Sequence, residues 1–115
     1  MGIISSIFGS SSINTLDPDL FEEKIQKEPD AVILDVRTKA EFINIRIPNS
    51  VLIDIYNRDF QERIEALDRE KSYFIYCQSG SRSLSAAKQM SKMGFKKIYN
   101  LMGGISGWNG KIERG

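Results

Sequence analysis

Two runs, Ala31-Val32-Ile33-Leu34-Asp35-Val36 and Tyr73-Phe74-Ile75-Tyr76-Cys77, constrain the architecture of this chain more tightly than any other feature. Both are nearly continuous in apolar side chains, and the first is rich in branched ones, the mark of a strand covered on both faces of a sheet. Val51-Leu52-Ile53 and Ile98-Tyr99-Asn100-Leu101 read as two further strands, and Ile13-Asn14-Thr15 as a fifth strand at an edge.

The stretches between them read as helices. Asp17 caps free amides and Pro18 is preset for a first helical position, so a helix with Leu20, Phe21 and Ile25 on its apolar face runs to about Lys27, where Pro29-Asp30 breaks it. Thr38 caps a short helix containing Glu41 and Phe42, Pro48-Asn49 turns the chain, and Arg58 to Leu67 is amphipathic. Leu84, Ala87, Met90 and Met93 recur at helical spacing until Gly94, and a short helix is expected around Trp108. Parallel neighbours need crossovers and crossovers bury the sheet, so the expectation is an α/β fold with a central parallel sheet of four or five strands and helices on both faces. In such folds ligands sit beyond the carboxyl ends of the strands, and Cys77 stands at such an end.

Composition removes several functions. The chain has 115 residues, enough for one compact domain. Its 41% hydrophobic and 27% charged residues are the balance of a soluble globular protein. Sixteen Lys plus Arg, scattered along the chain, face fifteen Asp plus Glu, so no nucleic acid is implied as a partner. One cysteine and no histidine exclude an internal disulfide, a zinc site of Cys and His, and catalysis by a Ser-His or Cys-His pair. No metal and no cofactor is called for. Residues 1–11 are an uncharged apolar segment ahead of a domain spanning 12–115. The segment lacks the basic start, long apolar stretch and cleavage site of a secretory signal, and the chain has no transmembrane stretch, so a cytoplasmic protein is expected. Met1-Gly2 with Ser6 formally matches a myristoylation pattern, but an apolar turn packed on the domain or a partner is the favoured reading.

A lone Cys closing an apolar strand is ordinarily a small buried hydrophobe. The segment that follows changes the reading. Cys77-Gln78-Ser79-Gly80-Ser81-Arg82-Ser83 joins a strand to a helix, and its small residues and central glycine let the backbone curl with its amides inward, as an anion cradle. A thiolate at the centre would be stabilised by those amides, by the helix N-terminus and by the charge of Arg82, with no histidine needed.

With these residues in view the chain resembles the rhodanese homology domain, over about residues 12 to 112. Leu34-Asp35-Val36-Arg37 with Glu41-Phe42 resembles the family's first motif, Ile47-Pro48-Asn49-Ser50 its second, Cys77 to Ser83 its active-site loop, and Gly103-Gly104 followed by Trp108 its closing motif. The resemblance implies a three-layer rhodanese-like fold and a sulfurtransferase. In that reading Cys77 accepts a sulfane sulfur from a small donor such as thiosulfate and hands it to a thiophilic acceptor such as cyanide or a thiol. Gln78, Ser79, Gly80, Ser81, Arg82 and Ser83 bind substrate, and Asp35 and Arg37 support them. A protein donor or acceptor is compatible with the same site. With no second cysteine, the persulfide must be resolved by an external acceptor.

Two departures from the family pattern bear on the reading. Ile45-Arg46 stand where Gly-His often precedes Ile-Pro, a change of turn packing alone. Gln78, Ser79 and Ser81 are neutral where efficient thiosulfate users place an extra basic residue, which makes thiosulfate a poor stand-in for the natural donor. Arg37 and Glu41, four apart, are expected to pair, with Asp35 tying down its loop by hydrogen bonds. Trp108 is expected in the core rather than as a lid, Gly103-Gly104 as a tight turn, and Ser83 as a helix-start residue whose hydroxyl also helps hold Cys77. Two other readings stand beside the sulfurtransferase. One is a non-catalytic docking or regulatory module, which would commonly lack the Cys. The other is a Cys-dependent phosphatase or arsenate reductase; those place one residue more between Cys and Arg than the four separating Cys77 from Arg82, and a phosphatase loop needs an acid to protonate the leaving group.

Overall fold

The computed structural model describes residues 13–115. The expectations about residues 1–11 lie outside that range. Five strands, β1 (Ile13–Leu16), β2 (Ala31–Asp35), β3 (Ser50–Leu52), β4 (Ser72–Tyr76) and β5 (Lys97–Leu101), form one sheet in the order β1-β5-β4-β2-β3, every pair parallel. The fifth strand expected at Ile13 is there, at the edge beside β5.

All five residues of β4 are buried because it is the middle strand and is covered above and below. Alternation sends Tyr73, Ile75 and Cys77 to one face and Phe74 and Tyr76 to the other. On the first face they meet Phe60 and Ile64 of α3 (Phe60–Glu65) and Ala86, Ala87 and Met90 of α4 (Ser81–Lys92). On the second they meet Phe21 of α1 (Pro18–Lys27), Ile47, Leu101 and Ile105.

Local chemistry sets the helix ends. The Asp17 carboxylate accepts from the Leu20 amide at 2.9 Å and Pro18 occupies the first turn, while the approach of Pro29 ends α1 with Glu28 already extended. In α2 (Lys39–Asn44) Thr38 and Glu41 form a reciprocal capping box. Two elements are shorter than their sequence pattern. The amphipathic stretch 58–67 is helical only over Phe60–Glu65, because Asn57 and Phe60 donate to Asp54 and Asn57 in consecutive turns and Asp59 makes no side-chain cap. The closing helix is a single 3-10 turn, Gly104–Gly107, that ends before Trp108. Among the described residues no helix is long and apolar enough to cross a membrane.

Phe21 shows where the sheet depends on a covering helix. It is fully buried and stands edge-on to Phe74 at 5.4 Å and to Trp108 at 5.9 Å. Phe21→Ala is expected to cost about 3–5 kcal/mol in denaturant unfolding, from lost burial and the cavity left. Its neighbour Leu20 is 51% exposed, and Leu20→Ala should change stability by no more than about 0.5 kcal/mol.

Candidate active site

Cys77 follows the last residue of β4, and α4 starts at Ser81, so the Cys77-to-Ser83 loop sits at the carboxyl edge of the central strand. Gly80 holds φ +110°, a left-handed conformation open to glycine, and this turns its amide back onto the sulfur. Cys77 Sγ accepts from Gly80 N at 3.0 Å and Ser83 N at 3.3 Å, and lies 3.3 Å from the Ser83 hydroxyl. Burial pushes the thiol up, but the hydrogen bonds, led by the Ser83 hydroxyl, outweigh it and hold the pKa below its ordinary value. The cradle read from the sequence is present. Gln78, Ser79 and Ser81 are exposed on its rim.

The closing segment is what points the loop inward. Cys77 O accepts from Ile105 N at 2.9 Å and Gln78 O from Ser106 N at 3.1 Å, so both carbonyls are held away from the sulfur. This needs a close approach of two backbones. A Cβ on Gly104, itself at φ +62°, would lie 2.4 Å from the Gln78 carbonyl carbon and 2.6 Å from Cys77 O. Gly103-Gly104 is thus the tight turn expected, and its packing against the loop is an additional role that a glycine pair alone did not announce.

The charged residues pair differently from the sequence expectation. Arg37 does not pair with Glu41. Its Nη2 meets Asp35 Oδ2 at 2.7 Å and its Nε meets Asp35 Oδ1 at 3.0 Å, both side chains fully buried. The rest of its fork donates to the Ile45 carbonyl and, at 3.3 Å, to Gln78 Oε1. Asp35 also accepts the Arg37 amide at 2.9 Å. Asp35 ends β2 and Arg37 lies two residues beyond it, and Tyr76 lies under the guanidinium at 5.5 Å. Glu41 instead takes Arg82 in a two-pronged pair, both contacts 2.9 Å. No hydrogen bond from Arg82 to the sulfur accompanies it; Arg82 and Cys77 interact through space. Trp108 is not a lid: it packs with Phe21 and Ile105 on the sheet face opposite Cys77, lining a cleft of about 230 Å³ with Ile25, Ile33 and Ile47.

The hydrogen bond to Arg82, followed by those from Thr38, overcomes the burial penalty and holds the Glu41 carboxyl down at about 2. Sequence reasoning missed this partner. Glu41 was legible as the third residue after a Thr cap, but Arg82 is 41 positions away.

A parallel sheet that presents a lone thiol, held by two backbone amides and a hydroxyl, beyond its central strand defines an α/β domain built around a single loop cysteine. The model of the rhodanese-like domain matches residues 17–111, and the chain belongs to that family. It is 34% identical over 85 residues to thiosulfate sulfurtransferase GlpE of Coxiella burnetii, covering 74% of this chain and 78% of that protein. It is 36% identical over 104 residues to YrkF of Bacillus subtilis, provisionally named a sulfur carrier protein, covering 90% of this chain but 55% of YrkF. Among solved structures it superposes on a rhodanese-related protein of Thermoplasma volcanium with a TM-score of 0.75 at 28% identity, over 87% of this chain and 97% of that one.

Two outcomes follow from the site. Ser83→Ala removes the hydroxyl and keeps the amide, so the Cys77 thiol should titrate at higher pH than in the wild type, read from the pH dependence of alkylation by iodoacetamide. The Glu41 carboxyl, lowered when folded, contributes stability above its ordinary value of 4.5 that is lost as pH falls toward 2. Melting temperature should therefore fall less steeply with acidification over that window in Glu41→Gln than in the wild type.

Proposed function

We propose that this domain is a rhodanese-type sulfurtransferase in which Cys77 carries a sulfane sulfur as a persulfide. The observation that carries the reading is the ring of donors on Cys77 Sγ: Gly80 N, Ser83 N and the Ser83 hydroxyl, in a chain with no histidine to act as base. Such a ring stabilises negative charge on sulfur before, during and after transfer. The relative named thiosulfate sulfurtransferase adds support for the reaction class.

In the first step the Cys77 thiolate attacks the outer sulfur of the donor. A Cys77 S–S bond forms, the donor's S–S bond breaks, and its electron pair leaves with sulfite or a thiolate. In the second, an external thiolate or cyanide attacks the outer sulfur and the Cys77 thiolate is regenerated. The loop amides serve both steps, since the charge rests on sulfur in each. Asp35 and Arg37 act at a distance, holding β2 against the loop through Gln78. With a single cysteine in this domain, the acceptor lies outside the domain, either a small thiol or a protein partner. A cytoplasmic setting, which keeps a lone thiol reduced, suits this chemistry.

The test is thiosulfate:cyanide turnover, read as thiocyanate, with intact mass of the protein after donor alone. Wild type should turn over and gain one sulfur, and Cys77→Ser should do neither. A wild type that gains no sulfur from thiosulfate or from cysteine persulfide would end the enzyme reading in favour of a docking module.

A further inference from the structure

Arg82 is the second residue of α4, at the lip of the Cys77 loop, and its charge acts on the sulfur through space. A free guanidinium in that position would attract a small dianion such as thiosulfate. Here both of its terminal nitrogens are engaged by the two oxygens of Glu41. Glu41 is itself held: Oε1 also accepts from Thr38 N at 3.0 Å and from the Thr38 hydroxyl at 3.1 Å, in the capping box that starts α2. The carboxylate is thus pre-placed by its own helix and does not depend on Arg82 for its position. The remaining side of Arg82 faces the Tyr56 ring at 6.0 Å, an aromatic that is 71% exposed. Beyond the loop, the other guanidinium that reaches it, Arg37, is neutralised by Asp35. Gln78, Ser79 and Ser81 on the rim carry no charge.

Taking the sulfur-transfer reading as its basis, we propose that Glu41 is a specificity-determining residue. By occupying Arg82 it withholds a cation from the mouth of the Cys77 loop and turns the site toward sulfane donors that carry less charge than thiosulfate. The reacting bonds are the same for all such donors. With thiosulfate, Cys77–S⁻ and S₂O₃²⁻ give Cys77–S–S⁻ and SO₃²⁻. With methanethiosulfonate, Cys77–S⁻ and CH₃SO₂S⁻ give Cys77–S–S⁻ and CH₃SO₂⁻. The two donors differ by one unit of charge and a methyl group, and the comparison isolates what Glu41 does.

The experiment measures kcat/KM for thiosulfate and for methanethiosulfonate, with cyanide as acceptor, on one preparation of each protein, and takes the ratio, from which any inactive fraction cancels. Glu41→Gln keeps an oxygen for Thr38 and removes the charge, and Glu41→Ala removes both. In each the thiosulfate-to-methanethiosulfonate ratio should rise by roughly fivefold or more, as expected for one unit of charge freed near a partly exposed site. The rise should shrink with added salt. Adding Arg82→Gln to Glu41→Gln should return the ratio to that of the wild type. A ratio unchanged or lowered in both Glu41 variants, or a rise that survives loss of Arg82, overturns the proposal while leaving sulfur transfer in place. Failure of wild type and both Glu41 variants to take sulfur from either donor overturns this proposal, and if cysteine persulfide also loads no sulfur, the transfer reading falls with it.

Discussion

The site rests on a backbone exchange between two loops. The amides of Ile105 and Ser106 take the carbonyls of Cys77 and Gln78 and brace the start of the loop, while the Gly80 and Ser83 amides further along it face the sulfur. The exchange is possible because Gly104 has no side chain to hold the strands apart. Loop and closing turn are therefore one unit, and what looks in the sequence like a tight turn 27 positions beyond the cysteine is part of the wall around it.

Charge is arranged around this unit so that little of it reaches the thiol as a free ion. The Asp35–Arg37 pair is buried, where an unpaired partner would be costly, and it is fully hydrogen-bonded into the end of β2 and the Ile45 carbonyl. Arg82 and Glu41 close a second pair at the opposite lip. The groups in hydrogen-bond contact with the sulfur are dipoles, which the sequence permits because four of the seven loop residues, three serines and a glycine, are small.

Much of this was legible before any coordinates. The two apolar runs gave the central strands, Asp17-Pro18 and Thr38 the helix starts, and the Gly80-centred loop the cradle, because each depends on residues within a turn or two of one another. The Arg37 and Arg82 partners were not legible in the same way. Spacing of four suggested Arg37 with Glu41, which presumes that both lie on one helix; Arg37 precedes the cap, outside α2, and its guanidinium folds back to β2. Glu41 is freed to cross to α4, a contact created by sheet order alone. Likewise the side of the sheet taken by Trp108 is set by the course of the chain after Gly104, which periodicity does not encode.

The sheet order also governs when the Cys77 loop is braced. β4 lies between β2 and β5, so its flanks come from segments far away on either side in the chain, and the cradle's outer supports join residues 41 positions apart. Contacts of such long sequence separation close late in folding, after their loop entropy has been overcome. Until β5 and its Gly-Gly turn have docked, the Cys77 loop lacks the brace that the Ile105 and Ser106 amides give it. The full set of supports around Cys77 thus belongs to the assembled domain, since no short segment of the chain contains both sides of any of them.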